Sequence, residues 1–208
     1  MKLLHISASP RGERSESLAL ARTFLDAVGV ADPSVEVDHY DLWDGTLPSF
    51  GPDAAAAKMA VFSGAEPDGP EGLAWRRVHD TFAWFDTADL LVFSVPMWNA
   101  GIPYILKQFI DVVSQPGMVF AFDPVTGYRG LLTGKRAVVI YTSGVYGPER
   151  GPAFGADFQA PYLEDWLRWI GIDDITEISL RPDLVRADAA EARRLAHDRA
   201  RAAGAAFV

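Results

Sequence analysis

The chain has no cysteine, which excludes disulfides, thiol nucleophiles, thiolate-held metals and cysteine-ligated iron–sulfur clusters together. It has no run approaching about 18 consecutive apolar residues, so no membrane-spanning helix is expected. Leu3 to Ile6 is all that precedes a Ser-rich turn, too little for the apolar region of a signal peptide, and the cytoplasm is the default compartment. Positive charge is scarce: 19 Lys and Arg stand against 28 Asp and Glu, a net charge of -9. A nucleic-acid partner, which needs clustered Lys and Arg, is therefore not expected, and an anionic ligand needs a local positive site. Catalytic signatures are missing too, with no G-x-G-x-x-G after the first strand and no G-x-S-x-G or H-E-x-x-H. GLLTGK, from Gly130 to Lys135, is one residue short of a P-loop, lacks its Ser/Thr and precedes a strand instead of a helix. His5, His39, His79 and His197 are scattered without metal-ligand spacing, so no metal site is expected.

What is present is a 208-residue chain, 49% hydrophobic and 23% charged, the composition of a soluble globular protein and most simply one domain over residues 1–208. Its first stretch, KLLHISASPRGERSESLAL, is the most informative. Leu3, Leu4 and Ile6 read as a buried strand. Ser7, Ser9, Ser15 and Ser17 follow with Gly12 among them, and Leu18, Ala21, Leu25 and Val28 then recur at helical steps. A strand, a Ser/Gly loop and a helix start bring free N–H groups and hydroxyls to one point, which suits a phosphate. Ordinary capping of the helix by Ser15 or Ser17 explains the same residues.

Further on, Val35 and Val37 mark a second strand, Leu42 to Pro52 a loop, Asp53 to Phe62 a helix and Gly64 to Gly72 a turn-rich break. Trp75, Val78, Phe82 and Phe85 give Leu73–Thr87 an apolar helical face, and Leu90 to Phe93 is a continuous apolar strand. Ile105–Val113 is helical, Met118–Leu132 a hairpin, Ala137–Tyr141 a strand, Tyr162–Ile170 an amphipathic helix and Ile175–Leu180 a last strand. An Ala/Arg helix runs from Asp188 to the C-terminus. Five strands separated by helices predict an α/β domain with a doubly wound parallel sheet, whose ligands bind at the carboxyl ends of the strands. Three loops fall there: Ser7–Ser17, Pro96–Pro103 and Thr142–Gly147. Met97 and Trp98 can contact the face of a flat ring while Asn99 offers a donor and an acceptor to its edge; core packing with a turn Asn is the alternative. With no acid–base constellation in view, a cofactor would supply the chemistry.

SASPRGERSES, PMWNAGIPYILKQFIDVV, GMVFAFDP..GYRGLLTGK and PYLEDWLRWIGI, in this order, resemble the FMN-dependent NADH azoreductases, or NAD(P)H:quinone reductases, of the flavodoxin-like superfamily. The resemblance implies a flavodoxin-like five-stranded sheet of order 2-1-3-4-5 with an inserted hairpin, bound FMN and a homodimer with its active sites at the interface. By position it assigns Ser9, Ser15, Glu16 and Ser17 to the FMN phosphate and its approach. Pro96, Met97, Trp98, Asn99 and Ala100 would hold the isoalloxazine ring, Thr142, Ser143, Gly144 and Tyr146 would close its other side, and Phe120 and Phe122 would line the substrate pocket. The family often has Tyr-Asn-Phe in place of Trp98, Asn99 and Ala100, and a Gly-Gly pair in place of Ser143 and Gly144. The expected activity is transfer of two electrons from NADH or NADPH to a quinone, with azo compounds as alternative acceptors, in a ping-pong cycle without an essential acid or base from the protein. An electron carrier and a flavin-free binding protein are the two rival readings.

Overall fold

The computed structural model describes residues 1–184 and 187–207. The chain runs through β1 (Lys2–Ser7), α1 (Glu16–Ala31), β2 (Glu36–Asp41), α2 (Pro52–Phe62), α3 (Gly69–Asp86) and β3 (Leu90–Pro96). It continues through α4 (Tyr104–Val113), the strands β4 (Phe120–Asp123) and β5 (Gly127–Gly130), β6 (Arg136–Thr142), α5 (Ala160–Trp169), β7 (Asp174–Leu180) and α6 (Ala189–Ala206). Val208, the end of the expected C-terminal helix, lies outside the described residues. The main sheet is parallel and ordered β2-β1-β3-β6-β7, while β4 and β5 pair antiparallel as a separate hairpin. With the hairpin set aside, this is the expected 2-1-3-4-5 flavodoxin-like order.

The unbroken apolar run of β3 follows from burial on both faces. Leu91 and Phe93 join Leu4, Ile6, Val139 and Tyr141 in a core covered by Phe85, Phe109, Leu163 and Leu167 from α3, α4 and α5. Leu90 and Val92 join Leu3, Val138 and Ile140 under Leu20 and Phe24 of α1 and Ala196 and Ala200 of α6. Alternate residues of one strand thus feed two cores, so Leu90 to Phe93 are all apolar; the one buried polar side chain of β3, Ser94, is satisfied by the His5 ring of β1.

Two local expectations need correction. The buried face of α1 is Leu20, Ala21, Phe24 and Val28, with Leu18 and Leu25 only half-buried. Apolar residues occur at helical steps along two adjoining stripes, and contact with α6 selects one; a Cβ on Gly204 would lie 2.4 Å from the Phe24 carbonyl oxygen. The break expected up to Gly72 ends earlier, because α3 starts at Gly69 with Pro70 in its first turn, where a missing N–H costs no helical bond. Gly72 donates its N–H to Asp68 O at 2.8 Å. Among the described residues, no helix is long and apolar enough to cross a membrane.

Candidate functional site

Parallel pairing puts the ends of β1, β3, β6 and β7 at one sheet edge, and backbone hydrogen bonds stitch the loops that leave them. Ala8 N–H donates to Ser94 O at 3.0 Å, Met97 N–H to Thr142 O at 2.7 Å and Ser143 N–H to Leu180 O at 3.3 Å. The three loops expected there do meet, and a fourth segment, Arg181–Leu184, joins them.

In the first loop, Ser9, Ser15 and Ser17 are all buried. Ser15 is the N-cap of α1: its Oγ accepts from Leu18 N–H at 3.3 Å and lies 3.1 Å from Ser17 Oγ. The first-turn N–H groups of Glu16 and Ser17 lie at the positive end of the helix dipole. The Glu16 carboxylate is engaged elsewhere, taking a bidentate ion pair from Arg193 of α6 with contacts of 2.7 to 3.0 Å.

In the second loop, Trp98 and Gly101 exchange two backbone hydrogen bonds, each 2.9 Å, across Asn99 and Ala100, whose φ angles are +48° and +70°. Positive φ at both central residues is the pattern of a type I′ turn. Asn tolerates it, whereas Ala at such an angle costs about 1–2 kcal/mol. Phe158 N–H donates to Ala100 O at 2.9 Å and so braces the strained residue. In the third loop, Ser143 Oγ donates to the Tyr146 carbonyl oxygen, which closes the loop on itself.

A cleft of about 240 Å³ lies between these two loops, lined by Met97, Asn99, Ala100, Ser143, Gly144 and Tyr146, with Phe154 on its rim. Pro96 and Thr142 stand behind it at the strand ends. Trp98 lines a neighbouring hollow of about 490 Å³ with Ile102, Tyr104, Phe158 and Tyr162. Phe120 and Phe122 line neither: Phe120 is buried 4.8 Å from the Trp169 ring centroid, and Phe122 is 58% exposed on the hairpin.

Three contributors had no motif to mark them. Trp43, in the loop after β2, donates its indole N–H to Ala8 O at 3.0 Å and packs its ring 5.7 Å from Trp98, which ties the first loop to the second. Arg181 is nearly buried, pairs with Asp157 at 2.7 Å and lies 5.7 Å from the centroid of the Tyr146 ring. Asp183 donates its N–H to Ser143 O at 2.8 Å. Its Oδ1 is buried and has no hydrogen-bond partner among the described residues. Burial first, and then the Glu16 carboxylate, push the Asp183 carboxyl above its ordinary range, while its own backbone N–H, then Arg193 and Arg11, pull it back. The only signals for these residues were an isolated Trp, Arg or Asp just beyond a strand.

The donor set fits FMN in kind: hydroxyls and helix N–H groups for a phosphate, a turn with an amide side chain beside a flat cleft, and an unpartnered buried acceptor. A family described by its flavodoxin-like fold matches residues 1–203. A protein of Ruegeria pomeroyi named FMN-dependent NADH:quinone oxidoreductase is 47% identical over 187 residues, 90% of this chain and 92% of that protein. FMN-dependent NADH:quinone oxidoreductase 9 of Burkholderia lata is 38% identical over 209 residues, covering 99% of each. The solved FMN-dependent NADH-azoreductase of Bacillus anthracis, in complex with FMN, aligns with a TM-score of 0.89 over 99% of this chain and 98% of that one at 23% identity, a likeness of fold.

Proposed function

Because the chain belongs to the FMN-dependent NADH:quinone oxidoreductase family, with its flavodoxin-like fold, we propose that it oxidises NADH and reduces a quinone to the hydroquinone at FMN held on this sheet edge. FMN, when bound, would supply the two-electron chemistry between NADH and the quinone, with water as the source of the further proton that the hydroquinone needs. The two substrates use the same open face in turn. The observation that carries this reading is that the loop bearing Ser15 and Ser17 and the Asn99–Ala100 turn with its cleft leave the same edge of the sheet.

The chain's own residues bind and orient. Ser9, Ser15 and Ser17, with the first N–H groups of α1, hold the phosphate. Glu16 serves through its backbone, since Arg193 keeps its carboxylate occupied. Asn99 and Ala100 present N–H groups and one amide side chain to the ring edge, Met97 packs on the ring, and Ser143, Gly144 and Tyr146 form the facing wall. Pro96, Trp98 and Thr142 set the backbone from behind. No side chain is assigned a proton-transfer step.

The finer readings are NADPH as an alternative reductant, azo compounds as a second acceptor class, a single FMN-binding unit, a cytoplasmic setting and a homodimer. The dimer is supported by exposed Tyr104 and Phe158 beside the cleft and by exposed Phe122 on the hairpin. These aromatic surfaces complete a pocket when a second copy covers them, with Phe122 reaching the other copy's acceptor and Phe120 as its buried base.

An absorbance spectrum of the purified protein, followed through anaerobic NADH and then a simple quinone, tests the assignment. Flavin bands should bleach and return. A colourless protein that also fails to bind added FMN refutes it.

A further inference from the structure

We infer that Asp183 is a cofactor-binding residue whose Oδ1 accepts a hydrogen bond from a hydroxyl of the FMN ribityl chain. This rests on the FMN reading above and extends it to a residue outside the recognised motifs.

The phosphate cluster at the start of α1 and the ring cleft are separate places, so the polyol that joins phosphate to ring must pass between them. Asp183 stands at that passage. Its N–H is bonded to Ser143 O at 2.8 Å, and the N–H of Leu184 to Gly144 O at 3.2 Å, which docks this segment on the cleft's wall. A Cβ on Gly144 would lie 3.0 Å from Leu184 Cδ1 and 3.7 Å from Asp183 Oδ1. From the other side, the charges felt by the Asp183 carboxyl are those of Glu16, Arg193 and Arg11, the residues around the phosphate cluster.

Asp183 is 8% exposed, and its Oδ1 has no donor among the described residues. A buried acceptor left without a donor costs about 1–3 kcal/mol, so the chain alone carries a defect that a ligand donor removes. The chemistry selects the donor. A phosphate offers only acceptors and negative charge, which a carboxylate repels, whereas a ribityl hydroxyl is a neutral donor that leaves the Glu16–Arg193 pair undisturbed.

The test is equilibrium binding of FMN, riboflavin and lumiflavin, which has a methyl in place of the ribityl chain, to flavin-stripped protein, read by flavin fluorescence. Asp183→Ala should weaken FMN and riboflavin alike, by roughly tenfold for one buried hydrogen bond, and leave lumiflavin unchanged. Asp183→Asn, which keeps an acceptor, should recover most of the loss. Without flavin, the melting temperature of Asp183→Ala should equal or exceed that of the parent, since an unpartnered acceptor has gone. Equal weakening of all three flavins with a lower flavin-free melting temperature would make Asp183 a structural support, and unchanged FMN affinity would remove it from the site. Failure of the unsubstituted protein to bind FMN would instead overturn the cofactor assignment, and this inference with it.

Discussion

Stability at mildly acidic pH should depend on His5 more than on any surface charge. The ring is buried on β1, with Nε2 2.6 Å from Ser94 Oγ and Nδ1 3.2 Å from His39 Nδ1. Neutral imidazole satisfies both contacts, with one nitrogen donating and the other accepting; a protonated ring has two donors and a buried charge. Burial, and then His39, lower its pKa from 6.5 to about 3. The unfolded chain takes this proton near pH 6.5 and the folded chain does not, so the contribution is full above 6.5, falls with pH and is gone below about 3. At about 1.4 kcal/mol per pH unit, going from pH 7 to 4.5 removes about 2.7 kcal/mol, roughly 5–10 °C of melting temperature for a chain of this size. His5→Gln keeps a donor and an acceptor toward Ser94 without a titrating ring; it should cost about 1 kcal/mol at pH 7 and match or exceed the parent at pH 4.5. Urea unfolding of both proteins at the two pH values measures this. Stability curves that run parallel from pH 7 to 4.5 would refute the reasoning.

Three further outcomes are expected. Asn99→Ala should weaken FMN binding or slow flavin reduction by roughly tenfold through loss of the amide, and Asn99→Gly, which suits the +48° φ angle, should show the same deficit with less loss of stability. Trp43→Phe removes the indole bond to Ala8 O and loosens Trp98, so FMN affinity measured by fluorescence should fall by roughly 3–10-fold, in line with about 0.5–1.5 kcal/mol for one hydrogen bond. Gly204→Ala forces a methyl to within 2.4 Å of Phe24 O, and thermal unfolding should show about 1–3 kcal/mol of destabilisation with unchanged FMN affinity.

The sequence alone determined the order of elements, because strands buried on both faces must be nearly all apolar and the helices between them must show a 3.6-residue period. It also located the Ser15–Ser17 helix start and the Met97–Ala100 and Ser143–Tyr146 loops, since the topology of a parallel sheet brings alternate loops to one edge. Only tertiary structure decided which stripe of α1 is buried, because the choice belongs to the partner helix α6. The left-handed backbone of Ala100 was likewise hidden: alanine does not favour that conformation, and the contact with Phe158 that braces it spans 58 positions. Trp43 and Asp183 were illegible for the same reason. Neither lies in a motif, and each acquires its role from a carbonyl or loop far along the chain, at Ala8 and at Ser143. Local patterns encode periodicity and caps; long-range contacts decide which polar groups are satisfied by the protein and which are left for a ligand.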